Sequence, residues 1–350
     1  MKSFYKKYLL NFILIISLTI IALWFALKDN YVEVVNLIRN MEWYWLLIIL
    51  LWGVFYTIII GWILKVFARR YKKNYSLFQG IQSAFVGSFF SGITPSSTGG
   101  QFAQAYIFKK QGIKVSEGAS LLWADFIVYQ TTMMIYVTIL FISRFTHYKE
   151  MVDSWFLFIL IGYGLNVCVI LTLWTMALFP KIYLKLSDVA VHILAKLRII
   201  KNKQKTLTNW SEQLNSFTEE IKQMRHEKLI IIKTVLLNVL RLTVLYSLPF
   251  VIARAIGVSI AWERLIDVIA ISSFVSMANS FIPIPGASGG TELVFTALFV
   301  PLIGTGAIAS SIMILWRFST YHFVILVGGI TFVILKQKFD KKKYEEKEIG

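Results

Sequence analysis

Four ionisable side chains sit where an apolar chain should not hold them. Asp125, Arg241 and Arg317 lie within long apolar runs, and Glu292 follows two residues behind a Gly-Gly pair. A charged group in hydrocarbon is costly unless paired, so such residues mark binding sites or ion pathways by default. At roughly 1.5 Å per helical residue, Asp125 lies about 14 Å from the start of its run. Arg241 and Arg317 lie roughly 18 Å into theirs, near the middle of a bilayer core about 30 Å thick. Two planar guanidinium groups at that depth suit a phosphate. Asp125 and Glu292 would neutralise them in the empty state or meet a cationic headgroup. The plainer alternative is two buried ion pairs that only fix helix register.

Two Pro/Gly/Ser-rich breaks interrupt the apolar runs. One reads Pro95-Ser96-Ser97-Thr98-Gly99-Gly100 and the other Pro285-Gly286-Ala287-Ser288-Gly289-Gly290, sharing P-x-x-[ST]-G-G at an offset of 190 residues. A helix starting after such a break offers free N–H groups and a positive dipole end to an anion. Pro95, Thr98, Gly99, Gly100 and Gln101 are therefore candidate tip residues, as are Pro285, Ser288, Gly289 and Gly290. Gln104, Tyr106, Tyr129, Gln130 and Tyr321 serve equally well as ordinary interhelical hydrogen-bonders. Gly286-Ala287-Ser288-Gly289 is also a G-x-S-G, and His322 would complete a Ser–His pair for intramembrane proteolysis. Thr132 stands where the other half would need a histidine, so the repeat explains the glycines better.

Positioning these residues falls to a strongly apolar chain. Of 350 residues, 57% are hydrophobic and 16% charged, with 27 Phe, 16 Tyr and 11 Trp. That excludes disorder and argues against a soluble enzyme, in which about a quarter of residues would be charged. A net charge of +17 points to nucleic acid in a soluble protein. Here the basic residues collect in flanks and one loop, as cytoplasmic segments of membrane proteins do. One cysteine, Cys168, and four scattered histidines offer no disulfide framework and no metal cluster. No phosphate-binding loop or dinucleotide fingerprint is present, so neither a cofactor nor a catalytic residue is expected.

Six runs are long enough to cross a bilayer: 8–27, 43–67, 116–142, 154–179, 229–253 and 305–335. Lys2, Lys6 and Lys7 place the N-terminus inside as an uncleaved first span. Residues 28–42 hold Lys28 and Arg39 against Asp29, Glu33 and Glu42, a net of −1, and lie outside. Arg69, Arg70, Lys72 and Lys73, then Lys109, Lys110 and Lys114, are inside again. The broken run 77–108 between them must enter and leave on one face, as a re-entrant hairpin. The second, 265–303, does so from outside, and Lys336, Lys338 and Lys341 to Lys343 return the C-terminus inside. Residues 180–228, with ten Lys/Arg and five Asp/Glu, form a cytoplasmic insert. Within it Leu207, Trp210, Leu214, Phe217, Ile221 and Met224 make one apolar helical stripe. Such a helix lies on the membrane surface or packs under the bundle.

Shifting 43–67 by 190 gives 233–257, and shifting 116–142 gives 306–332, so span–hairpin–span recurs. An extra span precedes each copy, and an odd number of crossings per half inverts the second. The expected fold is an all-α polytopic membrane protein, N-in/C-in, of six full spans and two re-entrant helical hairpins in an inverted repeat. Its segments are a first repeat over 1–150, a fourth span over 151–179, the insert over 180–228, a second repeat over 229–336 and a charged tail over 337–350. Inverted repeats with broken helices are the signature of transporters that bind near the midplane.

The paired Pro-x-x-Ser/Thr-Gly-Gly breaks, the cytoplasmic insert and Arg317 in the last span resemble the lysyl-phosphatidylglycerol synthase transmembrane family over nearly all of 8–335. This is the membrane half of the multiple peptide resistance factor, and it also occurs as stand-alone proteins of about this length. The chain departs from many relatives in the third span, where Trp123-Ala124-Asp125 replaces an acidic–Arg pair. The resemblance implies a flippase moving an anionic or aminoacylated phospholipid such as lysyl-phosphatidylglycerol, through a site involving Arg241, Arg317, Asp125 and Glu292. A glycolipid or polyprenyl-phosphate-sugar flippase is a second possibility. Others are a phosphatidylglycerol lysyltransferase using charged tRNA, or a scaffold recruiting a synthase through 180–228. Expected partners are membrane phospholipids, a separate lipid-modifying synthase or a second copy of the chain. The expected location is a bacterial cytoplasmic membrane.

Overall fold

The structure, a computed structural model, describes residues 31–94, 98–196, 202–224, 226–279 and 290–348. The expected span 8–27 lies outside these residues, as do Pro95, Ser96, Ser97, Pro285, Ser288 and Gly289. Among the described residues every regular element is helical. The chain runs through α1 (Tyr31–Arg39), α2 (Trp43–Ala68), α3 (Leu77–Gly92), α4 (Gly99–Lys110) and α5 (Val115–Ser143). It continues through α6 (Phe145–Met151), α7 (Asp153–Leu178), α8 (Pro180–Lys196) and α9 (Lys203–Met224). Then follow α10 (Lys228–Ala255), α11 (Leu265–Asn279), α12 (Gly290–Ile303), α13 (Gly306–Arg317) and α14 (Phe323–Glu348).

Five stretches are long and apolar enough to cross a bilayer: Trp43–Ala68, Val115–Ser143, Trp155–Leu178, Lys228–Ala255 and Gly306–Asp340. They overlie five of the six apolar runs, and the protein is a multi-pass membrane protein. Their outer faces are apolar, with Leu51, Phe55, Leu157, Ile161, Leu326 and Ile330 all exposed. The last stretch differs from the single regular span expected over 305–335. A π-turn at Phe318–His322 interrupts it, and α14 continues to Glu348.

Local chemistry sets the ends of the shorter helices. Ser76 accepts from the Gln79 amide at 3.2 Å while the Gln79 side chain accepts from the Ser76 amide at 2.9 Å. This capping box starts α3. Gly112 and Gly257 end α4 and α10 at φ 88° and 84°, a left-handed conformation that glycine adopts without penalty.

Lipid supplies no hydrophobic drive between helices, so close packing must come from small residues. A side chain on Gly61 of α2 would place its Cβ 2.6 Å from the Cα of Ile81 in α3. One on Gly100 of α4 would stand 2.8 Å from the carbonyl of Gly87 in α3. Thus α3 and α4 pack on each other on either side of residues 95–97. Gly328 of α14 lies against the carbonyl of Phe85 on another face of α3.

The insert is tied to the foot of α2. Leu214 and Met224 of α9 are buried, whereas Trp210 of the predicted stripe is exposed, and the Phe217 side chain lies outside the description. Glu220 is buried against Arg70 and accepts from the Tyr71 hydroxyl at 2.8 Å, and Arg70 Nε meets Glu227 at 2.6 Å. Burial first, and then the Glu220 carboxylate, hold the Tyr71 phenol well above the ordinary tyrosine range, so it remains a donor. Glu220→Ala leaves Arg70 buried with half its partners. The expected loss is about 3 kcal/mol, roughly a hundredfold in the opening equilibrium. Amide exchange across 203–224 in micelles measures it; unchanged protection would mean the clamp contributes nothing.

Candidate functional site

The four charged candidates form two acid–arginine groupings. In the first, Arg241 on α10 projects between α2 and α5. Its Cζ stands 4.1 Å from the centre of the Tyr129 ring and 5.5 Å from that of Tyr56. Its Nε and Nη2 donate to the Tyr56 hydroxyl at 3.4 and 3.3 Å. Asp125 lies one helical turn before Tyr129 on α5, with a buried Oδ1 that has no hydrogen-bond partner. Asp125 and Arg241 are not in ion-pair contact, and the guanidinium donates to the Tyr56 hydroxyl instead. Both residues are half-buried.

The second grouping is tighter. Arg317 Nε lies 3.2 Å from Glu292 Oε1, with side chains only 7% and 3% exposed. Arg317 also stacks over the Tyr321 ring at 4.8 Å, and the Tyr321 hydroxyl donates to the Gly92 carbonyl at 3.0 Å. Glu292 is in the first turn of α12, the third residue of that helix, and Gly92 ends α3. Glu292, Arg317, Tyr321 and Gly92 therefore form a continuous line of contacts from the start of α12 to the end of α3.

Backbone accounting explains why these helices hold their places. Pro249 inside α10 has no N–H, so the carbonyl of Leu245 loses its helical donor. The Trp316 indole supplies one at 3.2 Å. Trp52 of α2 donates to the carbonyl of Val244 at 2.7 Å. The Trp52–Val244 and Tyr56–Arg241 contacts together set α2 antiparallel to α10. Ser319, in the π-turn, accepts from the Gly53 amide at 3.2 Å and donates to the Ile49 carbonyl. Those two groups are helical partners within α2, so Ser319 ties the π-turn to the backbone of α2 at this turn. Gly53 permits this because any side chain there would collide with the Ser319 carbonyl. A π-turn beside a buried arginine is a frequent mark of function.

The remaining sequence candidates divide. Thr98 precedes α4, while Gly99 and Gly100 form its first turn and Gly290 begins α12, so both breaks are followed by helix starts. Gln101 is exposed, and the Gln104 side chain lies where a Gly87 side chain would be. Pro95, Pro285, Ser288 and Gly289 fall outside the described residues. His322 is the last residue of the π-turn. Sequence reasoning missed Tyr56, Trp52, Trp316, Ser319 and Gly53. Pro249 was the available signal, since it announces an unpaired carbonyl four residues earlier.

The profile of the lysylphosphatidylglycerol synthase TM region matches residues 10–328. The chain belongs to this family. It is 20% identical to a UPF0104 membrane protein of Archaeoglobus fulgidus over 94% of this chain and 98% of that one. It is 25% identical to a UPF0104 membrane protein of Pyrococcus horikoshii over 95% of this chain and 98% of that one. An uncharacterized protein of Mycoplasma pneumoniae is 22% identical over 93% of this chain and 87% of its own length. No solved structure matches the chain. These relatives come from archaea and from Mycoplasma, and among the described residues no three His, Cys, Asp or Glu side chains group as a metal site would require.

Proposed function

We propose that this family member carries a phosphate-bearing lipid headgroup between leaflets, through a site where the halves of an inverted repeat meet. The observation that carries the reading is the line from Glu292 through Arg317 and Tyr321 to Gly92, which joins the start of α12 to the end of α3. Helix bounds support the repeat. Moving α2, α3 and α4 by 190 residues lays them over α10, α11 and α12 to within a few residues. The antiparallel crossing of α2 and α10 supports the opposite orientation of the halves. Irregular backbone at this depth persists only where protein or a wet cavity covers it.

The two arginines take different roles in this mechanism. Arg241 rests on aromatic faces and a phenol, so an incoming phosphate can take its N–H donors without first breaking an ion pair. Arg317 is already matched by Glu292, and holds α12 and α3 in register. Asp125, with an unused buried oxygen, meets a cationic group on the headgroup. An anionic or aminoacylated phospholipid of the lysyl-phosphatidylglycerol kind satisfies all of these groups.

Purified protein in liposomes with a panel of headgroup-labelled lipids provides the test, with leaflet exchange followed by dithionite quenching. Exchange confined to anionic or aminoacylated headgroups is the expected result. No exchange of any lipid, or equal exchange of all, overturns the proposal.

A further inference from the structure

The insert is electrically divided. Residues 180–205 carry Lys181, Lys185, Lys196, Arg198, Lys201, Lys203 and Lys205 against Asp188 alone. Residues 206–227 carry Lys222 and Arg225 against Glu212, Glu219, Glu220 and Glu227. The acidic half has its partner, because Glu220 and Glu227 hold Arg70 at the foot of α2. The basic half includes α8, which keeps an apolar face uncovered. Ile182, Leu186, Val189 and Ile193 are each between 51% and 57% exposed. Their spacing of four, three and four places them on one side of the helix. Val191, on the opposite side, is buried, and α8 packs on α9. The open stripe is therefore not the face that docks on the protein.

We infer that α8 lies in the cytoplasmic face of the bilayer and binds anionic lipid, with its stripe in the acyl boundary and its lysines on the headgroups. Three observations commit the stripe to lipid. The first is continuity: α8 follows α7 after one non-helical residue, Phe179, and Leu178 and Phe179 are themselves exposed. The second is charge: Lys181, Lys185 and Lys196 are exposed beside the stripe, as in helices that lie in the interface plane. The third is side-chain shape. A lysine reaches from the edge of a buried stripe to the headgroups while its stem stays apolar. His192 lies 3.6 Å from the Asp188 carboxylate, and Lys203 Nζ lies 2.5 Å from His192 Nε2. Among the described residues, Lys181, Lys185 and Lys196 take part in no ion pair, which leaves them for lipid.

The test uses the full chain in nanodiscs, with Cys168→Ser removing its single cysteine. Nitroxides are placed singly at Leu186→Cys and Ile193→Cys in the stripe, and at Asp188→Cys on its flank. In discs containing phosphatidylglycerol, labels at 186 and 193 should collide with oxygen in preference to a water-soluble nickel chelate, and the label at 188 should do the reverse. With K181Q/K185Q/K196Q, the water-exposed population of the 186 label should rise by about fivefold per lysine removed. Discs of phosphatidylcholine alone should show the same shift. Nickel access at 186 and 193 in anionic discs overturns the inference. So does protection from both reagents accompanied by dipolar broadening between labels, which would make the stripe a contact between copies.

Discussion

Arg241→Ala should reduce headgroup-dependent exchange by roughly 30- to 150-fold while leaving insertion and folding intact. A charge-assisted hydrogen bond contributes about 2–3 kcal/mol, and about 1.36 kcal/mol is a decade in rate. Folding should survive because Arg241 is half-buried and leans on Tyr129 and Tyr56 rather than on a buried carboxylate. The substitution breaks no direct ion pair, and its cost to the fold is confined to the positive charge that it takes away from Asp125. Arg241→Lys keeps the charge but loses the planar fork, and should recover only part of the rate. Tyr129→Phe keeps the ring face beneath the guanidinium and should exchange lipid at close to the parental rate. Parental exchange by Arg241→Ala in liposomes would remove Arg241 from the headgroup site.

Glu292→Ala should be the most damaging single change to stability. Arg317 would then be a charge in a nearly closed site without its carboxylate, and breaking such a pair costs about 3–5 kcal/mol. Arg317→Ala strands Glu292 in the same way. Removing both takes out the uncompensated charge, so the double variant should be more stable than either single one. Unfolding of the four proteins in a detergent series reads this directly. Additive losses would show that the two side chains do not act on each other. The same cycle separates the roles proposed for the arginines. A tie between segments changes stability first, whereas a headgroup contact changes transport first.

Much of the candidate site could be read from residue types and spacing. Asp125, Arg241, Arg317 and Glu292 stand out because lipid makes charge costly, and transfer energies are written in composition. The breaks are legible because glycine and proline punctuate helices locally. Their partners are another matter. Arg241 could have met either carboxylate; the structure instead places it on Tyr56 and Tyr129, with Asp125 at a distance. The insert stripe shows the same division. Its period marks an apolar face, yet Leu214 is buried and Trp210 exposed, because spacing does not say what covers a face.

The chain alone determined the membrane class, five of the helical stretches, the two breaks and their 190-residue offset. Each depends on local quantities: hydropathy, helical period and the conformational limits of glycine and proline. Tertiary structure decided that Trp316 supplies the donor Leu245 needs below Pro249, that Ser319 ties the π-turn to α2 at Gly53, and that Arg317 chooses Glu292. The Pro249 sequence position shows that a carbonyl is left over. Which side chain comes within about 3 Å of it depends on how helices far apart in sequence pack. In lipid that packing is set by backbone approach at glycines such as Gly61 and Gly53, whose consequences appear only when the partner helix is in place.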